Sequence, residues 1–432
     1  MWDAGYALAR CPVSNHPTAS RWSIVVLVLL CVSVFINYID RGNLSTAAPL
    51  IKNALHLSAT QLGLLLSSFF IAYMLGHFVT GWLVDRFEAF RMLLIGFVVW
   101  SIATILTGFA QGFATLFLFR LLLGAGESFA FPSYSRIVSQ CFPEAQRGVA
   151  NGSILAAMAL GPAFGIFFGG LFMAAYGWRA FFIGFGLISL AWIAPWFAFG
   201  RKCVVISPPT TDAEPSLRAI MRMRSLWGSV AAATGQVYTW YFILTWIPFY
   251  LVNERHHSIS QMAIIGGSAY LVTALSMMTS GSLADRWIRS GASPTLARKT
   301  FLCAGGTGCA ISTMGCVLSS ASGSIVFLLF AGFFYGTMVP NAFAAVQTLA
   351  GPRAAGRWVG VWNGLASASG IAAPALTGFL VDRTGNFILP FLVAASMALA
   401  GVCAWLFFVG RIEQVDWSQR ATVIPGAAVA SS

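Results

Sequence analysis

Ser23-Ile-Val-Val-Leu-Val-Leu-Leu-Cys-Val-Ser-Val-Phe-Ile-Asn37-Tyr-Ile-Asp40-Arg41-Gly-Asn-Leu-Ser-Thr46 is the stretch that decides the fold. From Ile24 to Ile36 only Ser33 is polar. A helix needs about 20 apolar residues to cross a bilayer, and this run is long enough. It nevertheless carries Asp40 and Arg41 side by side, well inside the apolar segment. Working outward, runs of the same kind recur between charged or Gly/Pro/Asn breaks at 61–83, 92–111, 114–139, 148–174, 180–200, 226–251, 261–283, 300–320, 323–349, 359–380 and 387–410. With 23–46 they make twelve predicted spans, so both chain ends lie on one side of the membrane.

The composition agrees. The 432 residues include 25 Lys+Arg and 13 Asp+Glu, 9% in all, against 58% hydrophobic content and a mean hydropathy of +0.79. Soluble domains carry about 25% charged residues, and a disordered chain needs low hydrophobicity. The 43 glycines are scattered through apolar runs, as transmembrane helices tolerate. The fold class is therefore all-α: a polytopic membrane protein. The net charge of +12 reads as loop charge facing anionic membrane lipid, not as a nucleic-acid footprint. The eight cysteines form no C-x-x-C pair and read as small buried hydrophobes, with neither a disulfide framework nor a metal site suggested.

Lys and Arg, counted loop by loop, set the orientation. The even loops and both tails hold 19, and the odd loops only Lys52, Arg179, Arg255 and Arg383. Both termini are expected in the cytoplasm of a cell whose inner (plasma) membrane holds the chain. The polar stretch 201–225, with Arg201, Lys202, Pro208-Pro209, Arg218, Arg222 and Arg224, divides six spans from six. The expected organisation is a tail (1–22), a six-helix repeat (23–200), a cytoplasmic linker (201–225), a second repeat (226–410) and a tail (411–432). The halves echo one another: Gly81-Trp-Leu-Val-Asp85-Arg86 returns as Gly281-Ser-Leu-Ala-Asp285-Arg286, and Pro143…Asn151-Gly152…Pro162 as Pro352…Asn363-Gly364…Pro374. Two parallel six-helix repeats around a central cavity suit a transporter; a receptor or membrane enzyme has no evident use for the duplication.

These motifs resemble the major facilitator superfamily, whose G-x-L-x-D-R signature matches both copies. Here Phe87-Glu88-Ala89-Phe90 and a single Arg91 follow where the family usually continues with Gly and two basic residues. Closer still, the chain is similar to the anion:cation symporter branch, the galactonate, glucarate, hexuronate and tartrate carriers. The residues that carry this are Asn37-Tyr-Ile-Asp40-Arg41, Arg120…Gly124-Ala-Gly126-Glu127 with Pro132, Trp246-Ile-Pro248-Phe-Tyr250, Arg298-Lys299, Gln347…Pro352-Arg353, Gly356-Arg357 and Asn363. The resemblance implies a twelve-helix carrier and import of a sugar acid or small carboxylate by proton symport and alternating access. It also implies a cytoplasmic gate at Asp85, Arg86, Asp285 and Arg286. It implies no cofactor.

Asp40, Arg41, Arg120 and Glu127 are the only Asp, Glu, Lys or Arg residues well inside spans. Each costs about 2.5–3.5 kcal/mol at a bilayer centre even on the gentlest scale, so such residues normally face a cavity or a partner. Arg120 and Glu127 are seven apart, nearly two helical turns, and share a face. A guanidinium is always charged and forks two donors toward a carboxylate, so Arg41 and Arg120 are the predicted anion-binding groups. A shielded carboxyl group can hold and release a proton near neutral pH, which makes Asp40 and Glu127 the proton-site candidates; Glu127 is assigned to substrate coupling through Arg120 and Asp40 to gating the empty carrier. The bland alternative, permanent salt bridges between helices, gains little over apolar packing.

Tyr73, Tyr241 and Asn363 are candidates for hydrogen bonds to substrate hydroxyls, with helix packing as their alternative. Trp246-Ile-Pro248 reads as a hinge and lid or as an aromatic belt, and His77 as a packing histidine. No metal constellation or phosphate-cradling loop is visible. Ala156-Ala-Met-Ala159 in span five and Pro340-Asn-Ala-Phe343 in span ten depart from the sugar-acid carriers, a loss of polarity that suits a smaller or less hydroxylated anion such as a dicarboxylate or aromatic acid. Gly161-Pro162…Gly165 with Gly169-Gly170 is similar to the motif of drug antiporters and prompts proton-coupled efflux as the rival, although two cavity arginines would repel cationic drugs. A sensor would need an output domain that 201–225 and 411–432 are too short to supply. The expected partners are a small organic anion, protons and lipid, and the expected assembly is a monomer.

Overall fold

The computed structural model describes residues 20–142, 144–203, 215–351, 354–415 and 417, and within these leaves the side chains of 78, 81, 82, 85, 139, 144–149, 355 and 356 undescribed. Outside the described set lie most of both expected tails, Pro143, the Pro208-Pro209 pair, Pro352 and Arg353. The described chain is nearly all helix: α1 (Arg21–Leu55), α2 (Ala59–Arg86), α3 (Ala89–Gly108), α4 (Phe113–Glu127), α5 (Ala130–Cys141), α6 (Glu144–Phe164), α7 (Gly170–Leu190), α8 (Ile193–Phe199), α9 (Leu217–Met221), α10 (Arg224–Asn253), α11 (Ile259–Arg289), α12 (Pro294–Leu318), α13 (Ala321–Ala350), α14 (Ala355–Ala366), α15 (Ser369–Thr384) and α16 (Ile388–Cys403). Five-residue π segments follow α6 and α16.

Ten stretches among the described residues are long and apolar enough to cross a membrane. One of them, Ala150–Phe199, is 50 residues long, room for two crossings, and Gly177 (φ 80°) breaks it inside α7. With α10, 30 residues in its own right, the set fits twelve crossings. Local chemistry explains several boundaries. Ser258, Ser293 and Ser320 accept backbone N–H groups at the starts of α11, α12 and α13, the usual duty of a serine N-cap. Pro132 lacks the N–H that would reach the Ser128 carbonyl, and the fourth span is interrupted there, between α4 and α5.

The chain divides into two compact units. The first holds the described parts of 1–40, 71–161 and 179–210; the second holds 41–70, 162–178 and the described chain from 215 on. The units do not follow the line between the two six-span halves, because the C-terminal part of α1 and the N-terminal part of α2 pack with the second half of the chain. In the first unit, aromatic rings tie helices together: Trp192 Nε1 donates to Leu29 O (2.9 Å), and its ring stacks on Phe97 at 4.2 Å. Trp100 and Phe97 are fully buried. In the second, Trp246 and Trp358 are fully buried, and Trp246 Nε1 donates to Pro374 O at 3.2 Å.

The cysteine reading needs a correction. Cys141, the last residue of α5, is disulfide-bonded to Cys203, and Cys403 is exposed. The partners are 62 residues apart, so their meeting depends on how the ends of the fourth and sixth spans pack, which no local spacing encodes. Cys309 and Cys316 are buried thiols, as the composition suggested.

Candidate functional site

In the first unit three of the four intramembrane charges are almost wholly withdrawn from the surface: Asp40 is 1% exposed, Arg120 3% and Glu127 0%. Arg120 and Glu127 both lie on the buried side of α4, as their seven-residue spacing requires. Asp40 Oδ1 accepts a hydrogen bond from Thr104 Oγ1 (3.1 Å), which also donates to Trp100 O at 3.0 Å. Thr104 thus binds α1 to α3 at the level of the carboxylate, a role the sequence does not announce, because a threonine in an apolar helix commonly bonds only its own backbone. One turn before Asp40, Asn37 is fully buried and makes no side-chain hydrogen bond among the described residues.

Arg41 belongs to the second unit. It is 6% exposed, and its guanidinium lies 5.2 Å from the centre of the Phe69 ring on α2, within cation–π range. Adjacent residues on a helix point about 100° apart. Asp40 accordingly meets α3 and Arg41 meets α2.

The other sequence candidates are distributed. Tyr73, in the first unit, is buried and packs on His77 at 4.3 Å, while His77 Nδ1 lies 2.8 Å from the Tyr73 carbonyl. Tyr241, in the second, is buried against Phe70 at 4.3 Å. Asn363 is exposed near the end of α14, and its backbone carbonyl accepts Ser367 Oγ. Trp246 is fully buried beside Phe249 and Phe387 and packs between α10 and α15, so it does not face outward as an aromatic belt would.

Of the motif residues, Arg86 ends α2 and is exposed; Asp85 lies in the same turn with its side chain undescribed. Glu88 instead gathers Arg91 (3.0 Å) and Arg201 (2.6 Å). In the second copy, Asp285 pairs with Arg298, whose other arm donates to Asn341 Oδ1 at 3.0 Å. Arg286 is exposed. Asn341 is fully buried: the residue that read as a departure from the sugar-acid carriers joins the Asp285–Arg298 pair to α13. No group of three or more His, Cys, Asp or Glu residues poised for a metal occurs among the described residues.

The chain matches known proteins over most of its length. The family model of the Major Facilitator Superfamily matches residues 30–297 and 293–425. The chain belongs to the major facilitator superfamily. It is 31% identical to a hexuronate transporter of Bacillus subtilis over 91% of its length and 96% of that protein. It is 29% identical to a probable sulfoacetate transporter of Cupriavidus necator (89% and 93% covered) and 28% to a probable L-galactonate transporter of Escherichia coli (92% and 91%). Its backbone superposes with a TM-score of 0.73 on a bacterial homologue of the human lysosomal transporter Spinster, 18% identical, over 90% of this chain and 95% of that one. This superfamily member is therefore a multi-pass membrane transporter, not an enzyme, and it lies among relatives that carry small organic anions.

Proposed function

We propose that this transporter imports an organic anion, a sugar acid or small carboxylate, by proton symport with alternating access. The observation that carries the reading is the withdrawal of two arginines and two carboxylates, 0–6% exposed, within apolar helices. Charges in spans cost too much to keep without use. The names of the relatives, hexuronate, sulfoacetate and galactonate transporters, favour an anion over a cationic drug.

In this reading Arg41 and Arg120 hold the substrate carboxylate, Arg120 as a bidentate fork. Glu127 takes the symported proton, coupled to substrate through Arg120, and Asp40 gates the empty carrier. Tyr73, Tyr241 and Asn363 meet substrate hydroxyls. Asp85 and Arg86, with Asp285 and Arg286, close the cytoplasmic side. Residues 23–200 and 226–410 are the moving repeats, 201–225 their linker, and 1–22 and 411–432 cytoplasmic tails of a monomer in the cell inner membrane.

The test is uptake into proteoliposomes of labelled aldonates, uronates, tartrate, phthalate and a hydrophobic cation, with and without an inward proton gradient. Gradient-driven accumulation of an acid is expected. Anion uptake indifferent to the gradient would remove the symport mechanism, and extrusion of the cation would replace it with drug efflux.

A further inference from the structure

Within the second unit α10, α11 and α13 line a small, partly open cavity near the middle of each helix. Its walls include Trp240, Ile243, Tyr270, Thr273, Leu328 and Tyr335. Its volume is about 10 Å³, close to the least that will hold one water molecule. The rings have a definite arrangement. Trp240 stacks on Tyr335 with centroids 4.8 Å apart and planes 17° from parallel, and meets Tyr270 at 5.3 Å and 76°. Tyr270 is 5% exposed, yet its hydroxyl has no hydrogen-bond partner among the described residues. The other hydroxyl contributed by α11, that of Thr273, is already committed to the Ala269 carbonyl at 2.8 Å.

An unmet phenol in an apolar box is costly, because a buried donor without an acceptor forfeits roughly 1–3 kcal/mol of hydration. Packing alone does not explain it, since a phenylalanine would fill the same volume at less cost. The close approach of the helices is also specific: a Cβ on Gly332 of α13 would stand 2.6 Å from Thr273 Oγ1 and 2.8 Å from Ala269 O. The backbone is thus brought near enough to keep the space down to a single small group.

We infer that this cavity is a substrate subsite for one uncharged hydroxyl, the one at the end of the transported acid remote from its carboxylate, with Tyr270 as the hydrogen-bonding partner. The inference rests on the organic-anion reading and narrows it to a monocarboxylate. Among the described residues no Lys, Arg or His lines the cavity, so a second carboxylate entering it would be stranded in an apolar box, at a desolvation cost far above that of a neutral hydroxyl. Trp240 and Tyr335 supply ring faces and edges against which the adjoining C–H groups of the acid pack. A dicarboxylate, which the loss of polarity in spans five and ten left open, fits this subsite poorly.

The test uses the whole protein in proteoliposomes and two series of competitors: galactonate, 6-deoxygalactonate and galactarate, and the three-carbon set glycerate, lactate and tartronate. In each, the second acid lacks the terminal hydroxyl and the third bears a carboxylate in its place. Expected is a preference for the hydroxylated monoacid of one series over its deoxy analogue of about five- to tenfold, the worth of one neutral hydrogen bond at a buried site, and a larger preference over the diacid. Tyr270→Phe should weaken the hydroxylated acid to the level of its deoxy analogue while leaving the analogue unchanged. Equal competition by acid and analogue, competition by the diacid as strong as by the monoacid, or equal loss for both acids in Tyr270→Phe would overturn the subsite and leave the transporter reading standing. Competition by none of the six would overturn the subsite, and uptake of a uronate, tartrate or phthalate would then leave the organic-acid reading standing.

Discussion

At the scale of single residues, the chemistry depends on what an ion does where water is scarce. Glu127 is fully withdrawn on the same helix face as Arg120, and in the proposed symport it is the carboxylate that takes the travelling proton. Glu127→Gln keeps the shape and removes the proton. We expect this variant to lose gradient-driven accumulation while counterflow exchange persists; driven uptake that survives would move the proton site elsewhere. Arg120→Lys keeps the charge but loses the fork. Replacing a bidentate, charge-assisted pair by a point contact should cost about 2 kcal/mol, roughly thirtyfold in apparent affinity, measured as the half-saturating concentration of anion uptake. An unchanged value would remove Arg120 from the binding role.

At the scale of elements, helices without a hydrophobic driving force between them associate through close backbone approach. The α3–α4 contact shows this at Gly126, next to Glu127: a Cβ there would lie 2.8 Å from Trp100 N and 3.0 Å from Gly96 O. Since both obstacles are backbone, Gly126→Ala must push the helices apart, and overpacking of this kind costs about 1–3 kcal/mol. Gly152 of α6 has open space where a Cβ would go. Gly126→Ala should therefore lower the melting temperature in detergent, and Gly152→Ala should not; equal effects would contradict the packing. The same contrast marks what the sequence could tell. Span positions, the intramembrane charges and the doubled D-R motif were legible because apolar length and isolated charge are local signals. Thr104 beneath Asp40, the Cys141–Cys203 bond and the Asn341–Arg298 contact were not, because each joins helices through residues with an ordinary local role. The repeat also shows in the backbone: His56 and His256, 200 positions apart, lie just past the ends of α1 and α10 in the same left-handed conformation, with φ of 51° and 57°.

At the scale of the molecule, a carrier that alternates must hold each closed seam with contacts weak enough to release. Within the second unit the start of α2 meets the end of α15, and under the proposed alternating access this contact is such a seam. Asp382 Oδ1 accepts from Ala59 N (3.0 Å) and Oδ2 from Thr60 N (2.6 Å), so one carboxylate caps the helix across 322 residues of chain. Deeper in the seam, Ser67 Oγ donates to Ile371 O at 2.8 Å. Asp382 is exposed, so its worth is that of a surface cap, about 1 kcal/mol. A difference of that size barely alters folding, yet it shifts a two-state equilibrium about fivefold. Asp382→Ala should therefore leave the melting temperature nearly unchanged while raising the population in which the seam is open. The reporter is Ser67→Cys in a cysteine-free background, buried at 1% exposure with the seam closed. A membrane-impermeant maleimide should label it several-fold faster when Asp382 is replaced by Ala, and Asp382→Asn, whose amide oxygen still accepts one N–H, should fall between. Equal labelling rates in all three would mean that the seam does not open in the transport cycle and that the two helices move as one body.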